Sequence, residues 1–475
     1  MSDGVIYFEK QKKIYPRTVK GRYRRLKWLA MAVLLGIYYA VPWIRWNRGP
    51  HAPNQAVMID MPARRAYFFN IELWPQEVYF FAGLMVLAAV GLFFVTSLLG
   101  RVWCGYACPQ TVWTDLFIAV ENWIQGDRNA RMKLDKAPLS LNKIYKKTAT
   151  HAVWLLIALC TGGAWVFYFM DAPTLLDQIL HRNVSWMAGG WILGLTASTY
   201  IMAGFAREQV CTYMCPYARF QSAMFDKDTL IIGYDRERGE PRGKHKQGSS
   251  WDGRGHCIDC TQCVVVCPMG IDIRNGLQME CIACGLCVDA CNDVMARMDL
   301  PPGLIRYDTQ RNYERRTLAQ KMGEAARQVW SIWRPRTYYY IAIMVLIGGI
   351  MLAAFLSRSA VDLSVIHDRN PLYVKLSNGD IRNTYTLKII NKTHEDQIFH
   401  LSVEGISPRS INIAGASPAV EGLLVLADSV GTFRVLVVAP PDAVSPRRDM
   451  TLSIDNANGS LQSRAETVFI TEGAM

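Results

Sequence analysis

Residues 257–291 read CIDCTQCVVVCPMGIDIRNGLQMECIACGLCVDAC, and this stretch decides the fold of its part of the chain. It holds eight of the chain's 13 cysteines, arranged as two copies of the spacing Cys-x2-Cys-x2-Cys-x3-Cys. Pro268 follows the first copy, and Asn292 follows the second. Cysteine runs with this spacing ligate [4Fe–4S] clusters, and two copies in succession are typical of bacterial two-cluster ferredoxins. The sequence therefore predicts an α+β ferredoxin domain with two [4Fe–4S] clusters.

The ligands are expected to cross between the two copies. Three cysteines spaced by two residues can wrap around one cluster, whereas the fourth reaches the other cluster. Cluster 1 is predicted to be held by Cys257, Cys260, Cys263 and Cys291. Cluster 2 is predicted to be held by Cys281, Cys284, Cys287 and Cys267. Electron transfer is the predicted role of this segment, and the complete double pattern disfavours a structural zinc site.

Five stretches without Asp, Glu, Lys or Arg are long enough, or nearly so, to cross a bilayer core, which takes about 20 residues. They are residues 28–44, 78–99, 148–170, 183–206 and 337–357. The first lacks a small-residue cleavage site and follows a long N-terminal flank, so we interpret it as a retained span rather than a signal peptide. The sequence therefore predicts a multidomain membrane protein with a five-span α-helical bundle.

The basic residues predict the orientation of this bundle. Residues 1–27 carry nine Lys and Arg and residues 101–150 carry eight, whereas 48–77 and 172–186 carry three and one. The positive-inside rule then places the N-terminus and the ferredoxin in the cytoplasm, and the C-terminal segment in the periplasm. The cysteine-free segment 358–475 suits an oxidising compartment. We expect a multi-pass protein of the bacterial inner membrane.

These patterns predict five segments. They are a basic cytoplasmic tail (1–27), a four-span membrane domain (28–226), the cytoplasmic ferredoxin domain (227–336), a fifth transmembrane helix (337–357) and a periplasmic domain (358–475). In the last segment, apolar and polar residues alternate around Tyr385, Phe399, Phe433, Leu452 and Val468, with turn residues between the runs. About seven strands in this length predict an immunoglobulin-like β-sandwich.

A second cysteine pattern repeats at the ends of two predicted spans. Arg101 precedes Cys104-x3-Cys108-Pro, and Arg207 precedes Cys211-x3-Cys215-Pro. The i to i+4 spacing predicts that both thiols of a pair lie on one side of a helix. Four such thiols could bind a metal, form a redox-active dithiol or relay electrons, and buried packing is the alternative.

The remaining composition argues against several functions. The formal net charge of +12 is explained by membrane-facing cytoplasmic loops, so we do not expect nucleic-acid binding. His151 alone lies within a predicted span, which disfavours a membrane cytochrome b, and no GxGxxG follows a strand. Cys160, in the third span, is interpreted as a small apolar packing residue. A flavin or quinone site and the oligomeric state are left open.

The chain resembles the CcoG family, also called FixG or RdxA. The resemblance rests on GRVWCGYACPQTVWTDLF at 100–117, QVCTYMCPYARFQSAMFD at 209–226 and the double ferredoxin pattern. The related electron donors of nitrate and nitrous-oxide reductases carry the same Cys-x3-Cys-Pro pairs. The extracytoplasmic C-terminal domain favours the CcoG family among them.

The resemblance implies a role in assembling cbb3-type cytochrome c oxidase, as a cupric reductase that supplies Cu(I) to the copper centre. Its implied partners are oxidase subunits or the copper chaperones and transporters of that pathway, besides membrane lipid. The redox or copper-binding residues that the resemblance implies are Cys104, Cys108, Cys211 and Cys215. The alternative is an electron-carrier subunit that links a quinol or soluble donor to another respiratory complex. Soft thiolate ligands favour Cu(I), which agrees with the first function.

Overall fold

The computed structural model describes residues 13–49, 52–246, 248, 250–321, 330–414, 422–440, 447–456, 458–460 and 462–471. The first twelve residues of the predicted basic tail lie outside this described part. The chain divides into two compact units, residues 1–44 with 55–351 and residues 45–54 with 352–475. All 13 cysteines belong to the first unit, and the C-terminal sheets belong to the second. The predicted five-segment boundaries stay a prediction.

Helices dominate the first unit. The α-helices described are α1 (Arg22–Ala40), α2 (Tyr79–Leu99), α3 (Val102–Tyr106), α4 (Pro109–Gln125), α5 (Arg128–Lys136), α6 (Leu141–Val166), α7 (Ala172–Leu180), α8 (Trp186–Ile201), α9 (Pro216–Met224), α10 (Arg236–Gly239), α11 (Gln262–Val265), α12 (Leu286–Arg297), α13 (Gln310–Lys321) and α14 (Pro335–Leu356). Short 3-10 turns cover Val41–Trp43, Pro75–Glu77 and Ile273–Asn275. Two π-helical turns cover Met202–Ala206 and Val210–Met214.

The strands form four sheets. They are β1 (Val57–Asp60), β2 (Arg65–Phe68), β3 (Ile71–Leu73), β4 (Leu230–Tyr234), β5 (Ile305–Thr309), β6 (Val361–His367), β7 (Val374–Lys375), β8 (Ile381–Asn391), β9 (Gln397–Glu404), β10 (Ser410–Ile413), β11 (Leu423–Val425), β12 (Ser429–Ala439), β13 (Arg447–Asn456) and β14 (Gln462–Ile470). The sheet orders are β1-β2-β3, β4-β5, β10-β12-β8-β6 with β7 on β8, and β11-β9-β13-β14. The β1–β3 sheet was not predicted from the sequence.

Four described helical segments are long and apolar enough to cross a membrane. They are Arg22–Trp43, Pro75–Leu99, Leu141–Val166 and Pro335–Leu356, which correspond to four of the five predicted spans. The predicted span 183–206 is α-helical for 16 residues and continues as the π-helical turn Met202–Ala206. The helix of the predicted span 148–170 begins earlier, because Ser140 accepts a hydrogen bond from the Lys143 backbone N–H and so starts it. The five-span count stays a prediction.

Glycines let several of these helices approach closely. A Cβ atom on Gly162 of α6 would lie 2.9 Å from the Ile192 carbonyl oxygen of α8. A Cβ atom on Gly83 of α2 would lie 2.7 Å from the Met351 sulfur of α14. Close packing through small residues is the usual way in which helices associate in a bilayer, because burial of apolar surface gives little driving force for association there.

The segment with the double cysteine pattern combines one small sheet with short helices. β4 pairs antiparallel with β5, and Ile232 lies opposite Tyr307. Ile232, Leu304 and Ile305 are each 1% exposed in a core that also includes Cys257 and Cys291. Cys257, Cys263 and Cys291 therefore lie within this core, and Cys260, Cys281 and Cys287 pack against it.

The second unit packs two antiparallel sheets on one core. Tyr385 and Leu387 of β8, Leu452 of β13 and Phe469 of β14 all belong to that core and are at most 2% exposed. The Tyr385 hydroxyl donates to the Val468 carbonyl at 2.7 Å, which joins the two sheets. The five strands predicted from alternation are confirmed as β8, β9, β12, β13 and β14. The short strands β7, β10 and β11 were missed because two to four residues are too few for a period-two pattern.

Candidate functional site

The structure brings the fourth cysteine of each copy close to cysteines of the other copy. Cys267, Cys281, Cys284 and Cys287 line one internal cavity, together with Cys263. Burial raises the pKa of Cys291, and the thiols of Cys263, Cys260 and Cys257 raise it further, so Cys291 lies near the other set. The fourth cysteine of each copy therefore lies with the first three cysteines of the other copy. The assignment of ligands stays a prediction.

The two loops between these cysteines repeat the same backbone turns. Asp259 (φ 54°) and Ala283 (φ 50°) occupy equivalent positions, between the first and second cysteines of each copy. Thr261 (φ 55°) and Gly285 (φ 75°) follow the second cysteines in the same way. A left-handed residue costs about 1–2 kcal/mol unless it is glycine. Because Thr261 and Ala283 do not favour this conformation, the tertiary structure and not local preference holds these turns.

The chemistry of these thiols fits iron–sulfur clusters. Burial raises the pKa of Cys291 and of Cys281 to about 12, and neighbouring thiols add to the effect. A thiol in such surroundings stays protonated at neutral pH unless a cation compensates the thiolate charge. Eight thiols, four buried and four half-buried, therefore suit two [4Fe–4S] clusters, each ligated by four thiolates.

The four cysteines of the two Cys-x3-Cys-Pro motifs meet in a different cavity of the same unit. Cys104, Cys108, Cys211 and Cys215 all line this space of about 520 Å³, which we call the four-thiol cavity. Cys160, by contrast, is exposed on α6, so the prediction that it packs inside the protein is wrong. The repeated motif thus identified four thiols that the tertiary structure brings together.

Neither motif is a continuous helix, and the prediction of paired thiols on one α-helical face is wrong. α3 ends at Tyr106, and Cys108 then precedes α4, whose first residue is Pro109. Cys211 lies in a π-helical turn, and Cys215 precedes α9, whose first residue is Pro216. Proline lacks the backbone N–H that an interior helical position needs but suits the first helical position, so each helix restarts there.

A shared backbone hydrogen bond gives the two motifs the same shape. The Cys108 N–H donates to the Trp103 carbonyl at 2.9 Å, and the Cys215 N–H donates to the Val210 carbonyl at 2.8 Å. Each bond spans five residues and joins the second cysteine to the residue before the first. This five-residue hydrogen bond is the one that defines a π-helix. π-helical turns are rare in proteins overall, but they often occur at functional sites.

The two arginines that precede the motifs bind each motif to the other. Arg101 is 5% exposed, and its Nε donates to Gln221 Oε1 of α9 at 2.9 Å. Arg207 is 7% exposed, and its Nη2 donates to Glu121 Oε1 of α4 at 2.7 Å. Each arginine thus holds the helix that follows the opposite motif. A buried charged group is stable only when it is paired or well hydrogen-bonded, so these contacts fix the positions of all four thiols.

The first motif also packs directly against a loop that carries cluster cysteines. A Cβ atom on Gly105 would lie 2.7 Å from the Ile282 carbonyl oxygen and 3.1 Å from the Cys284 Cα. The Tyr106 hydroxyl donates to the Cys284 carbonyl at 3.0 Å. Arg101 Nη1 donates to the Met279 carbonyl and lies 3.4 Å from the Cys281 carbonyl. The four-thiol cavity and the second cluster-cysteine group are therefore neighbours.

Burial also controls the ionisation of two of the cavity thiols. It raises the pKa of Cys104 to about 11 and that of Cys211 to about 12. The Arg101 guanidinium and a hydrogen bond from the Cys104 thiol to Gln221 Oε1 at 3.3 Å oppose this shift at Cys104 without cancelling it. These thiols are consequently protonated at neutral pH until a metal ion displaces the protons.

Sequence comparison identifies relatives along nearly the whole chain. The nitrogen fixation protein FixG of Rhizobium meliloti is 47% identical over 461 residues, which cover 92% of this chain and 86% of FixG. Protein RdxA of Cereibacter sphaeroides is 46% identical over 94% of both chains. The chain belongs to the FixG/CcoG/RdxA family. Protein RdxB of Cereibacter sphaeroides is also 46% identical, over 98% of both chains.

Three family models match separate parts of this FixG-family protein. The model described as "4Fe-4S dicluster domain" matches residues 206–310, and the one described as "4Fe-4S binding domain" matches 81–130. The third, described as "IG-like fold at C-terminal of FixG", matches 351–472. Together with its apolar helices, these matches make the protein a membrane-bound iron–sulfur protein of electron transport.

Sequence reasoning missed three residues of this FixG-family site. Glu121 could have been recognised, because an acidic residue inside the largely apolar helix α4 signals a buried partner. Gly105 and Gln221 carried no such signal. Their roles depend on contacts with segments more than 100 residues away, and no local sequence pattern predicts such contacts.

Proposed function

We propose that this protein reduces Cu(II) to Cu(I) at the four-thiol cavity, in the assembly of a cbb3-type cytochrome c oxidase. The observation that carries the proposal is the convergence of Cys104, Cys108, Cys211 and Cys215 on one cavity beside a loop of cluster cysteines. When bound, the clusters supply electrons one at a time, and such clusters reach potentials well below zero. Copper is the substrate, and the four thiols are its proposed ligands.

The donor set of the cavity supports copper as the metal. Among the described residues that line the cavity there is no histidine, and Glu280 is the single carboxylate. Soft sulfur ligands favour Cu(I) over harder divalent ions. Reduction of Cu(II) to Cu(I) takes up one electron and transfers no proton from substrate, so it needs no general acid or base. The cavity offers binding and positioning, which is all that this reaction requires.

The chain's own residues keep the donor and acceptor sites together. Arg101 joins the second motif, through Gln221, to the loop that ends at Cys281. Tyr106 holds the same loop through the Cys284 carbonyl. These buried contacts fix the distance between the cavity and the cluster cysteines, and a fixed distance favours electron transfer over loss of electrons to other acceptors.

The proposed function includes the orientation of the protein in the inner membrane. Five crossings would leave the N-terminus and the cluster cysteines in the cytoplasm and an immunoglobulin-like C-terminal sandwich in the periplasm, as the distribution of basic residues predicts. We propose that this outer domain docks oxidase subunits or the copper chaperones and transporters of the assembly pathway. The sequence of this domain shows no cluster of His, Cys or carboxylate residues that marks a catalytic site, which agrees with a docking role.

Anaerobic mixing of reduced protein with Cu(II) and a Cu(I)-specific chelator tests the activity. We expect Cu(I) to form as the clusters are oxidised, and a variant with all four cavity cysteines changed to serine to lose this reaction while it keeps its iron. Cys160→Ser is the matched control, because Cys160 is a membrane-helix cysteine outside both groups. Clusters that stay reduced, with no Cu(I) signal, would refute copper reduction.

An electron-carrier subunit is the second candidate, and one observation favours it. The "4Fe-4S binding domain" model matches residues 81–130, which include Cys104 and Cys108. Cavity thiols that carry electrons onward to another respiratory complex would not need copper. Excess copper should restore oxidase activity to a deletion strain if the protein supplies Cu(I), and it should not if the protein is a carrier.

A further inference from the structure

Two methionines line the four-thiol cavity beside the cysteines. Met269 and Met279 belong to the segment between Cys267 and Cys281, so both come from the cluster-cysteine part of the chain. Neither belongs to a motif that the proposed copper chemistry uses. The cavity is therefore lined by six sulfur-containing residues, four cysteines and two methionines.

Met269 lies between the two sulfur-rich cavities. It lines the four-thiol cavity, and it also lines the internal cavity that Cys267, Cys281, Cys284 and Cys287 share. It packs with Cys104 against a buried cluster that includes Cys284 and Ile282. The side chain of Met269 is thus part of the wall that separates the cluster cysteines from the cavity thiols.

Met279 has a different position, at the outer part of the cavity. Its side chain is 58% exposed, so packing of the apolar core does not explain it. Its backbone is held in place, because its carbonyl accepts a hydrogen bond from Arg101. Arg101 also binds Gln221 and the Ala218 carbonyl of α9, so Met279 is tied to the second cysteine motif.

Thioether ligands differ from thiol ligands in charge and in proton loss. A methionine sulfur is neutral and has no proton to lose, whereas the buried thiols must be deprotonated before they bind metal. A further thiolate would add negative charge to a buried site, and a thioether completes the coordination without it. Thioether sulfur is also a soft ligand that selects Cu(I).

We propose that Met269 and Met279 are Cu(I) ligands of the four-thiol cavity, with Met269 on its inner wall and Met279 at its mouth. The inference rests on the proposed copper function and specifies the oxidation state of copper that the site retains. Cu(II) that takes up an electron becomes the softer Cu(I), which the mixed thiolate–thioether set binds more tightly. The site thereby holds the product of the reaction until a partner removes it.

Leucine variants test the inference with little change in volume, since such exchanges usually cost under about 1.5 kcal/mol in a packed site. In anaerobic competition with a Cu(I) chelator, we expect Met269→Leu and Met279→Leu each to bind Cu(I) at least about tenfold more weakly, the loss that even outer-shell partners of a metal produce. Met214→Leu is the matched control. Met214 lies between Cys211 and Cys215 and is 60% exposed, but it is not among the cavity-lining residues.

Selenomethionine provides a direct structural readout. X-ray absorption at the copper edge of selenomethionine-labelled protein should show a copper–selenium contact that is lost in the double leucine variant. Iron content must stay unchanged in all variants, which separates ligand loss from damage to the clusters. Equal Cu(I) affinity in the leucine variants, with no copper–selenium contact, would overturn the inference and leave the proposed function intact. Absence of Cu(I) binding by the native protein would instead overturn the proposed function.

Discussion

Replacement of Gly105 by alanine should loosen the contact between the first cysteine motif and the cluster-cysteine loop. The added Cβ would meet the Ile282 carbonyl oxygen at 2.7 Å, the Ala283 carbonyl oxygen at 3.0 Å and the Cys284 Cα at 3.1 Å. All three are backbone atoms, which cannot rotate away as a side chain could. The loop that carries Cys281 and Cys284 must therefore move outward.

The size of the effect follows from two opposing terms. Overpacking of this kind costs about 1–3 kcal/mol. Gly105 lies in helix α3, where alanine is favoured over glycine by about 0.5–1 kcal/mol. With midpoints of about 2 and 0.75 kcal/mol the net loss is about 1.25 kcal/mol, and at most about 2.5 kcal/mol. This corresponds to a roughly 8-fold, and at most roughly 60-fold, rise in the opening of this contact, at about 1.4 kcal/mol per factor of ten.

Hydrogen exchange followed by mass spectrometry measures this opening in detergent-solubilised protein. We expect the amides of residues 281–285 to exchange faster by that factor, and the rate of Cu(II) reduction to fall with it. Gly36→Ala is the control, because a Cβ on Gly36 of α1 would meet nothing within 4 Å. Unchanged exchange in the Gly105 variant, at an unchanged reduction rate, would show that the close contact does not couple the motif to the loop.

Four further predictions concern ion pairs, ligands, protons and orientation. Glu121→Gln leaves the buried Arg131 and Arg207 without their shared carboxylate, so we expect the free energy of unfolding to fall by about 3–5 kcal/mol. Thermal or denaturant unfolding measures this loss. The control is Asp293→Asn at an exposed ion pair, which should change the free energy of unfolding by less than about 1 kcal/mol. The double variant Cys267→Ser with Cys287→Ser should lower the iron content from about eight to about four atoms per chain, since crossed ligand sets put both cysteines on the same four-iron cluster. Loss of nearly all iron would show that they serve different clusters and would contradict the crossed ligand sets. Since the pKa of Cys104 is raised to about 11, Cu(I) binding must release protons at neutral pH. The affinity for Cu(I) should therefore rise with pH, by about tenfold per pH unit for each proton released. A pH-independent affinity between about pH 6 and 8 would contradict thiolate ligation. Alkaline phosphatase fused after residue 475 should be active and a fusion near residue 245 should not, and the opposite result would reverse the proposed orientation.

Local signals account for the parts of the fold that could be predicted. The spacing of Cys257 to Cys291 reflects how few residues are needed to wrap a loop around a cluster, so the motif is readable wherever it occurs. Uncharged runs of about 20 residues follow from the thickness of a bilayer. Alternation around Tyr385 follows from the period of a strand, and its side chain is fully buried as that pattern requires.

Backbone hydrogen bonds set two helix boundaries that hydropathy does not predict. The helix expected across Cys104 and Cys108 is interrupted, since Pro109 supplies no N–H and starts a new helix. The helix that contains the predicted span 148–170 extends back to Leu141, where Ser140 caps a turn that contains lysine. In both places the backbone hydrogen bonds, which hydropathy does not describe, set the boundary.

Residue spacing and hydropathy identify the groups that can do chemistry: eight cysteines spaced for clusters, two repeated cysteine pairs at the ends of apolar runs, and a strand-rich C-terminal segment. The folded chain adds that the two pairs share one cavity, that Arg101 reaches Gln221, 120 residues away, and that Met269 lines both sulfur-rich spaces. Spacing and hydropathy describe short-range geometry, whereas these contacts join distant segments. They form because buried arginines and close-packed glycines each accept few arrangements, and the fold that satisfies them also brings the thiols together.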